Sequence, residues 1–326
     1  MNRSNAATLD AEPAFVEAIG NGVRVVDTGF HRALFDAAYL IVERGRAAFV
    51  DTGTNDAVPR LLAALAGAGV GVDAVDYVIA THVHLDHAGG AGLLMQQLPN
   101  AKLVVHRRGA RHLVDPRHLI RSATGVYGEE EIARSYGSLV PVPADRVLTT
   151  TDNATIDLAG RPLRFLDTPG HAMHHHCIWD EASRAFFTGD TFGLSYRDFD
   201  TALGAWIMPT TTPVQFQPEA LRRSIERMLA FAPDHMHLTH FGRVGDVPRL
   251  GALLLAQLEA VVAFAQTTTP GPSRHDELVR GLEAIHVASL RAHGVTLAHA
   301  RIRELLALDL ELNAQGIAIW LDRRRH

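Results

Sequence analysis

Cysteine is almost absent. Cys177 is the only one in 326 residues, which excludes an intrachain disulfide and any cysteine-rich zinc site. Lysine is as scarce, with Lys102 the one example, so positive charge rests almost wholly on arginine. No basic patch is interleaved with aromatics, and the net charge of −5 with a pI near 6.4 argues against nucleic acid or an anionic membrane as partner. Low-complexity tracts and internal repeats are missing. No apolar run reads as long enough to span a bilayer. Residues 1–13 lack the basic and apolar regions of a signal peptide, so the expected location is the cytoplasm.

What is present is mostly ordinary. With 47% hydrophobic and 21% charged residues and a mean hydropathy of +0.03, the chain can bury one large α/β core with a small appended unit. Histidine is the exception, with 19 residues.

Short β-type runs broken by turn residues are expected at 23–27, 38–43 and 47–50. Helical spacing of Val58, Leu61, Leu62 and Leu65 predicts a helix ending before Gly69. A buried strand over 75–80, a helix over 89–97 and a strand over 102–106 follow. From about 108 to 145 the periodicity weakens and reads as an insertion. Strands resume between 147 and 188, then come an amphipathic helix over 218–230, a strand over 235–238 and a helix over 247–264. The Thr, Pro, Gly and Ser of 267–273 mark a linker. Two further helices are expected over 276–292 and 296–312. This divides the chain into a domain over 14–266 and a C-terminal helical extension over 273–326.

The densest chemistry lies in Thr81-His82-Val83-His84-Leu85-Asp86-His87. Directly before it stands the apolar run Val78-Ile79-Ala80, so four metal-capable side chains emerge together from the end of a buried strand. Imidazole and carboxylate suit zinc and related ions. His82 and His84 can point together at one ion. Asp86 and His87, at the turn into the helix opened by Gly89-Gly90, can address a second.

This His-x-His-x-Asp-His pattern after a strand resembles the signature of the metallo-β-lactamase superfamily, and the rest of the family pattern follows in order over residues 22–245. Thr168-Pro169-Gly170-His171 resembles its Pro-Gly-His loop, implying His171 as third ligand of the first metal. Thr188-Gly189-Asp190 resembles its Gly-Asp strand end, implying Asp190 as the bridging carboxylate. Leu238-Thr239-His240-Phe241-Gly242 resembles its last ligand loop, implying His240 as a ligand of the second metal. Asp51 resembles the non-ligating aspartate that braces the metal loop and fixes histidine orientation.

The resemblance implies an α/β (α+β) fold, a four-layer αβ/βα sandwich with added C-terminal helices. Two divalent metal ions are implied, zinc by default, with iron or manganese as alternatives. The implied reaction is hydrolysis of a small-molecule thioester, ester or lactone by a metal-bridging hydroxide. Asp190 would bridge and Asp86 would orient the nucleophile or accept its proton. Among relatives the chain is most similar to the glyoxalase II-like branch. It departs from true glyoxalase II in its long stretch between His87 and His171 and in the basic glutathione-binding residues, which find no match.

Further candidates lie around these motifs. His174 heads the run His174-His175-His176 as a pocket contact. Phe192, Tyr196, Arg197 and Trp206 follow Asp190 in a segment without regular periodicity, of the kind that lines substrate pockets. Tyr127 and Tyr136 are read as either a lid or local packing, and His235 and His237 as packed residues. The apolar faces of the last two helices are expected on the core or against a second copy in a homodimer. The rival reading is a persulfide dioxygenase-like enzyme of the same fold with one non-haem iron.

Overall fold

The computed structural model describes residues 12–211 and 213–324. Most of the segment read for a signal peptide, residues 1–11, lies outside them, as do the last two residues of the C-terminal extension.

Two mixed sheets face each other. The first is ordered β1 (Val16–Gly20), β2 (Val23–Asp27), β3 (Ala37–Glu43), β4 (Arg46–Val50), β5 (Val75–Ala80), β6 (Lys102–His106) and β7 (Val147–Thr150). The second contains β8 (Thr155–Leu158), β9 (Arg161–Asp167), β10 (His176–Asp180), β11 (Ala185–Gly189), β12 (His235–Leu238) and β13 (Gly242–Val244), in the reverse spatial order. Alternation along the strands sorts side chains into three apolar layers. On β3, Tyr39 and Ile41 face the second sheet, where Phe165, Ile178 and Phe187 meet them. Ala38 and Leu40 face the opposite way, toward helices α1 (Val58–Gly67), α2 (Leu85–Ala88) and α3 (Ala91–Gln97). On β11, Phe187 points inward while Phe186 points out into a helical layer. The order is therefore helix, sheet, sheet, helix.

The stretch from 108 to 145 is helical rather than irregular. It holds α4 (Ala110–Val114), α5 (Arg117–Tyr127) and α6 (Glu129–Glu131), the last running into a π-type turn at Ile132–Tyr136. No side chain of α5 is fully buried, which is why its apolar periodicity is faint in the sequence. Strands β1 and β13 were not anticipated either. Both are short edge strands of few apolar residues.

The outer helical layer on the second sheet is formed by α7 (Pro218–Leu229), α8 (Val247–Thr267), α9 (Arg274–Ala292) and α10 (His299–Arg323). Helix α8 corrects one expectation. Its mean hydropathy of 1.6 makes it long and apolar enough, by composition, to cross a membrane. Arg249, Gln257 and Glu259 interrupt the run in the sequence. In the fold its Leu250, Leu254, Leu258 and Val261 are buried against the sheet and the last helices. Helix α10 runs eleven residues past its expected end, and its Leu310, Ala314, Ile317 and Trp320 join the same core.

His286 on α9 is buried and meets Gln257 of α8 through Nδ1 at 3.0 Å. Burial pushes its pKa from 6.5 down to about 4, so the folded chain keeps the ring neutral where the unfolded chain protonates it. This contribution is present above pH ~6.5 and lost as pH falls toward ~4, a span worth on the order of 3 kcal/mol. Urea unfolding from pH 7 to 4 is expected to show that loss, and His286→Gln to lose less stability over the same range. Identical pH profiles for the two proteins would contradict it.

Candidate metal centre

Each chemically active side chain follows directly on a strand. Asp51 follows β4, the Thr81–His87 segment follows β5, His171 lies in the loop after β9, Asp190 follows β11, and His240 follows β12. The strand ends lie at one edge of the sandwich, so residues distant in sequence converge there.

Asp51 organises the edge. Its Oδ1 accepts from the Thr81 backbone N–H at 2.8 Å, and both oxygens lie within 3.0 Å of the Thr81 hydroxyl. Its Oδ2 also meets His87 Nδ1 at 2.9 Å and accepts from Thr239 Oγ1 at 3.0 Å. Two loops of the first sheet and one of the second are thus fixed to one buried carboxylate. Two glycines permit the close approaches. A Cβ at Gly189 (φ +47°) would strike His175 and Thr81, and one at Gly170 (φ +135°) would strike the Leu221 backbone.

Two clusters result. His82, His84, His171 and Asp190 bring donor atoms within 4.8 Å of one another, and Asp86, His87 and His240 do the same. In the first, His84 Nδ1 and His171 Nε2 are 3.0 Å apart, and Asp190 Oδ2 lies 3.4 Å from His171 Nε2. In the second, Asp86 Oδ2 lies 3.6 Å from His87 Nε2 and 3.5 Å from His240 Nε2. The other oxygen of Asp190, Oδ1, reaches His87 Nε2 at 3.2 Å and His240 Nε2 at 3.6 Å. Asp190 therefore offers one oxygen to each cluster.

The far ring nitrogens are tied down. His171 Nδ1 meets Thr210 Oγ1 at 2.6 Å, His240 Nδ1 meets the Phe35 carbonyl at 3.0 Å, and His82 Nδ1 meets Thr81 Oγ1 at 3.2 Å. Such contacts orient a ring so that its other nitrogen faces a metal. His82 Nε2, His87 Nε2 and Asp190 Oδ1 are buried with no hydrogen-bond partner among the described residues. His87 Nε2 and Asp190 Oδ1 are close, but they do not meet along a hydrogen-bonding direction. Buried polar atoms left unsatisfied are costly. A cation between them would satisfy all three, and the donor set of imidazoles and carboxylates fits a divalent metal site.

The charge balance differs between clusters. Burial drives the pKa of His82 well down, lowers that of His84, and takes that of His171 to about 3, so these rings present neutral lone pairs. Burial would also lower His87 and His240, but Asp190 and Asp86 outweigh it, raising His87 well up and His240 to about 10. Burial opposes ionisation of Asp86 and Asp190, yet the adjacent His87 and His240 hold both below the usual carboxylate range. The second cluster thus carries carboxylate charge that calls for cations, and protons on its histidines compete with metal for that role.

A small cavity of about 40 Å³ covers the centre, with His84, Asp86, Asp190 and His240 in its floor. Its walls include Phe30, Phe35, Tyr127 and Tyr136, and also Leu308, Asp309 and Asn313 from α10. The tyrosines of the 108–145 stretch therefore face the centre, and the last helix does so while also packing on the core. Asp309, Asn313 and Thr210 were missed in the sequence because nothing local distinguishes them.

Of the pocket candidates, His174 lines the neighbouring cavity, with its ring stacked 6.2 Å from that of His82. The other four line neither the cavity over the centre nor the two beside it, which corrects the expectation drawn from their closeness to Asp190. Phe192 and Trp206 are fully buried in the helical core, where Trp206 Nε1 donates to Ser289 Oγ of α9 at 2.9 Å. Arg197 turns back to donate to the Ser195 carbonyl and pairs with Asp200 at 3.4 Å. Tyr196 is fully buried and stacks on Phe35, and its hydroxyl lies 3.1 Å from the Asp309 carboxylate, so it stands behind two wall residues of the cavity. Burial raises the pKa of Asp309 to about 6. For Trp206 and Tyr196 the physical reason is that α9 and α10 hold them, through Ser289 and Asp309. His175 holds Asp190 by accepting its backbone N–H at 3.2 Å, whereas His176 and His237 are buried packing residues.

Removing the charge of Asp51 should loosen the loop without touching a donor atom. Asp51→Asn is expected to weaken divalent-ion affinity by about 10–100-fold in chelator competition. Unchanged affinity would show that the metal loop does not depend on Asp51.

The model of a family described as the metallo-beta-lactamase superfamily matches residues 31–240. A metallo-beta-lactamase fold-containing protein of Sulfurisphaera tokodaii is 32% identical over 162 residues, covering 48% of this chain and 58% of that protein. The solved structure of an archaeal metallo-beta-lactamase superfamily protein from Sulfolobus tokodaii superposes with a TM-score of 0.61 at 24% identity, covering 84% of this chain and 99% of that one. An atrochrysone carboxyl ACP thioesterase of Aspergillus fumigatus is 25% identical over 183 residues, 56% of this chain and 43% of that protein. The chain thus spans about half the length of these two curated relatives. A hydroxyacylglutathione hydrolase of Cupriavidus taiwanensis is 28% identical over 270 residues, 77% of this chain and 85% of that protein.

Proposed function

Because the chain belongs to the metallo-beta-lactamase superfamily, we propose that it is a two-metal hydrolase acting on a small-molecule thioester, ester or lactone. The observation that carries this reading is Asp190, whose two carboxylate oxygens address two separate donor clusters. His82, His84 and His171 with Asp190 would hold one divalent ion. Asp86, His87 and His240 with the other oxygen of Asp190 would hold the second. Zinc is the metal this nitrogen and oxygen donor set favours, with iron and manganese as alternatives. When bound, such ions acidify a water toward neutrality and polarise the carbonyl under attack.

The chain's own residues supply the rest. Asp86 is the most exposed carboxylate of the centre, at 21% of its side chain, and it faces the cavity. Held ionised by His87 and His240, it is placed to orient a water and accept its proton. Phe30, Phe35, Tyr127 and Tyr136 keep the cavity small and largely apolar, which strengthens electrostatic interactions inside it. No side chain in the floor is placed as an obvious acid for a leaving amine. Thiolates and alkoxides of activated esters need little such help, so thioesters lead the substrate panel. Relatives named as a hydroxyacylglutathione hydrolase and an ACP thioesterase support that order.

The zinc-loaded protein is expected to hydrolyse at least one class among thioesters, esters and lactones, and to lose that activity on treatment with a chelator. Asp86→Asn should lower kcat by about 10²-fold or more, with a much smaller change in KM. A zinc-loaded protein inert toward all three classes, or full turnover by Asp86→Asn, would overturn the reading.

A further inference from the structure

The small cavity over the centre opens on one side into a line of two larger compartments. The middle one, about 230 Å³, shares His84 and Tyr127 with the metal cavity, and its walls include Leu119, Ala123 and Val126 of α5 beside His118 and Ser122. The outer one, about 330 Å³, shares Arg111, His112, His174 and Gln215 with the middle one and adds Arg107 and Arg108. The outer one reaches the size of a small-molecule site, which spans roughly 300–1,000 Å³, and the middle one falls just below it. The path thus runs from a metal-binding floor, along the apolar face of α5 with Arg111 at its far end, to a mouth lined by three guanidinium groups.

That mouth is chemically unusual for this chain. The protein is acidic overall, at −5, yet no carboxylate lines the outer compartment. Many arginines elsewhere are matched to carboxylates, as in Arg161 with Asp180, Arg46 with Asp76 and Arg227 with Asp152. Arg107 and Arg108 follow β6 and form no ion pair among the described residues, where Arg111 has one side-chain bond, to His112 Nε2 at 3.3 Å. Since His112 accepts there, its hydrogen sits on Nδ1, which is buried and has no acceptor among the described residues. Burial and then the charges of Arg111 and His118 lower the pKa of His112, as a positive local field requires. Three guanidiniums within five residues, with no carboxylate partner among the described residues, give this mouth a positive field that favours an anion. Their planar forks match phosphate oxygens, and three of them call for more charge than one carboxylate supplies.

We infer that the Arg107, Arg108 and Arg111 cleft binds the phosphate of a phosphopantetheine-type thiol arm, with the uncharged arm in the middle compartment and its thioester at the metal centre. The last clause rests on the hydrolase reading above, whereas the phosphate assignment does not. A glutathione arm fits less well, because its charged groups lie nearer the sulfur than a phosphopantetheine phosphate does and would fall short of Arg107 and Arg108, which line only the outer compartment.

The test is calorimetric titration of the zinc-loaded full chain with S-methyl-coenzyme A, a thioether with no cleavable bond and no free thiol. It should bind at least about tenfold more tightly than S-methylpantetheine, which lacks phosphate; tenfold corresponds to about 1.4 kcal/mol. The double variant Arg107→Ala/Arg108→Ala should erase most of that preference and leave S-methylpantetheine unchanged, and Arg111→Ala should separately reduce the preference. All three side chains are exposed, so folding is expected to survive. S-methyl-4′-phosphopantetheine separates the two sources of the arm. Affinity equal to that of the coenzyme A thioether assigns the cleft to the phosphate shared with carrier proteins, and weaker affinity assigns it to the nucleotide phosphates of coenzyme A. Equal binding with and without phosphate, a preference that persists in the variants, or tighter binding of S-methylglutathione would overturn the inference. A protein that shows the phosphate preference but cleaves no thioester would refute the reaction and leave the cleft assignment standing.

Discussion

The Asp51 carboxylate is the contact on which the centre depends. It is buried at the end of β4, and its oxygens serve the Thr81 backbone and hydroxyl, His87 Nδ1 and Thr239. Thr81 opens the segment that carries His82, His84, Asp86 and His87, while Thr239 stands directly before His240. One anion therefore sets the register between two sheets whose contact is otherwise apolar and non-directional. Hydrogen bonds to an ionised group in a low-dielectric setting are strong and directional, which is the quality the apolar layer lacks. The hydroxyl of Tyr39, donating to the Leu238 carbonyl, and the Ala37 N–H, donating to the Thr239 carbonyl at 2.8 Å, tie the same two strand ends together nearby.

From that frame follows an asymmetry that a list of ligand residues does not convey. The first cluster offers three neutral imidazoles and half of Asp190. The second offers two histidines whose neighbours favour protonation, one further carboxylate and the other half of Asp190. The second cluster is also the one whose carboxylate, Asp86, is open to the cavity. Tight holding and chemical access are thereby divided between the two halves of the centre. The C-terminal helices complete the enclosure. Helix α10 places Asp309 and Asn313 in the cavity wall, and Asn313 also accepts the Thr211 N–H at 2.6 Å beside Thr210, the residue that orients His171.

The legible part of the site was the part written locally. His82, His84, Asp86 and His87 are contiguous with a buried strand, so a strand end and a dense donor set could be read together. Asp51, His171, Asp190 and His240 each stand beside a strand end in a short motif, and the structure brings them together. Strand placement was legible for the same reason, since period-two alternation on β3 or β11 needs no knowledge of the partner sheet. What escaped was tertiary. Phe192 and Trp206 follow Asp190 in sequence but are buried in the helical core, where Trp206 is held by Ser289 of α9. Asp309 lies on a long amphipathic helix where one acidic residue carries no signal. Helix α5 was hidden because its weakly buried face blurs the apolar period, although it walls the channel beside the centre.

The most direct test of this account is a count of metal ions by elemental analysis of the full chain purified without added metal, repeated on His240→Ala. Two divalent ions per chain, falling to about one in the variant, is the predicted result, because only the second cluster loses a ligand. One ion per chain that is unaffected by His240→Ala, iron in particular, would contradict the two-metal centre.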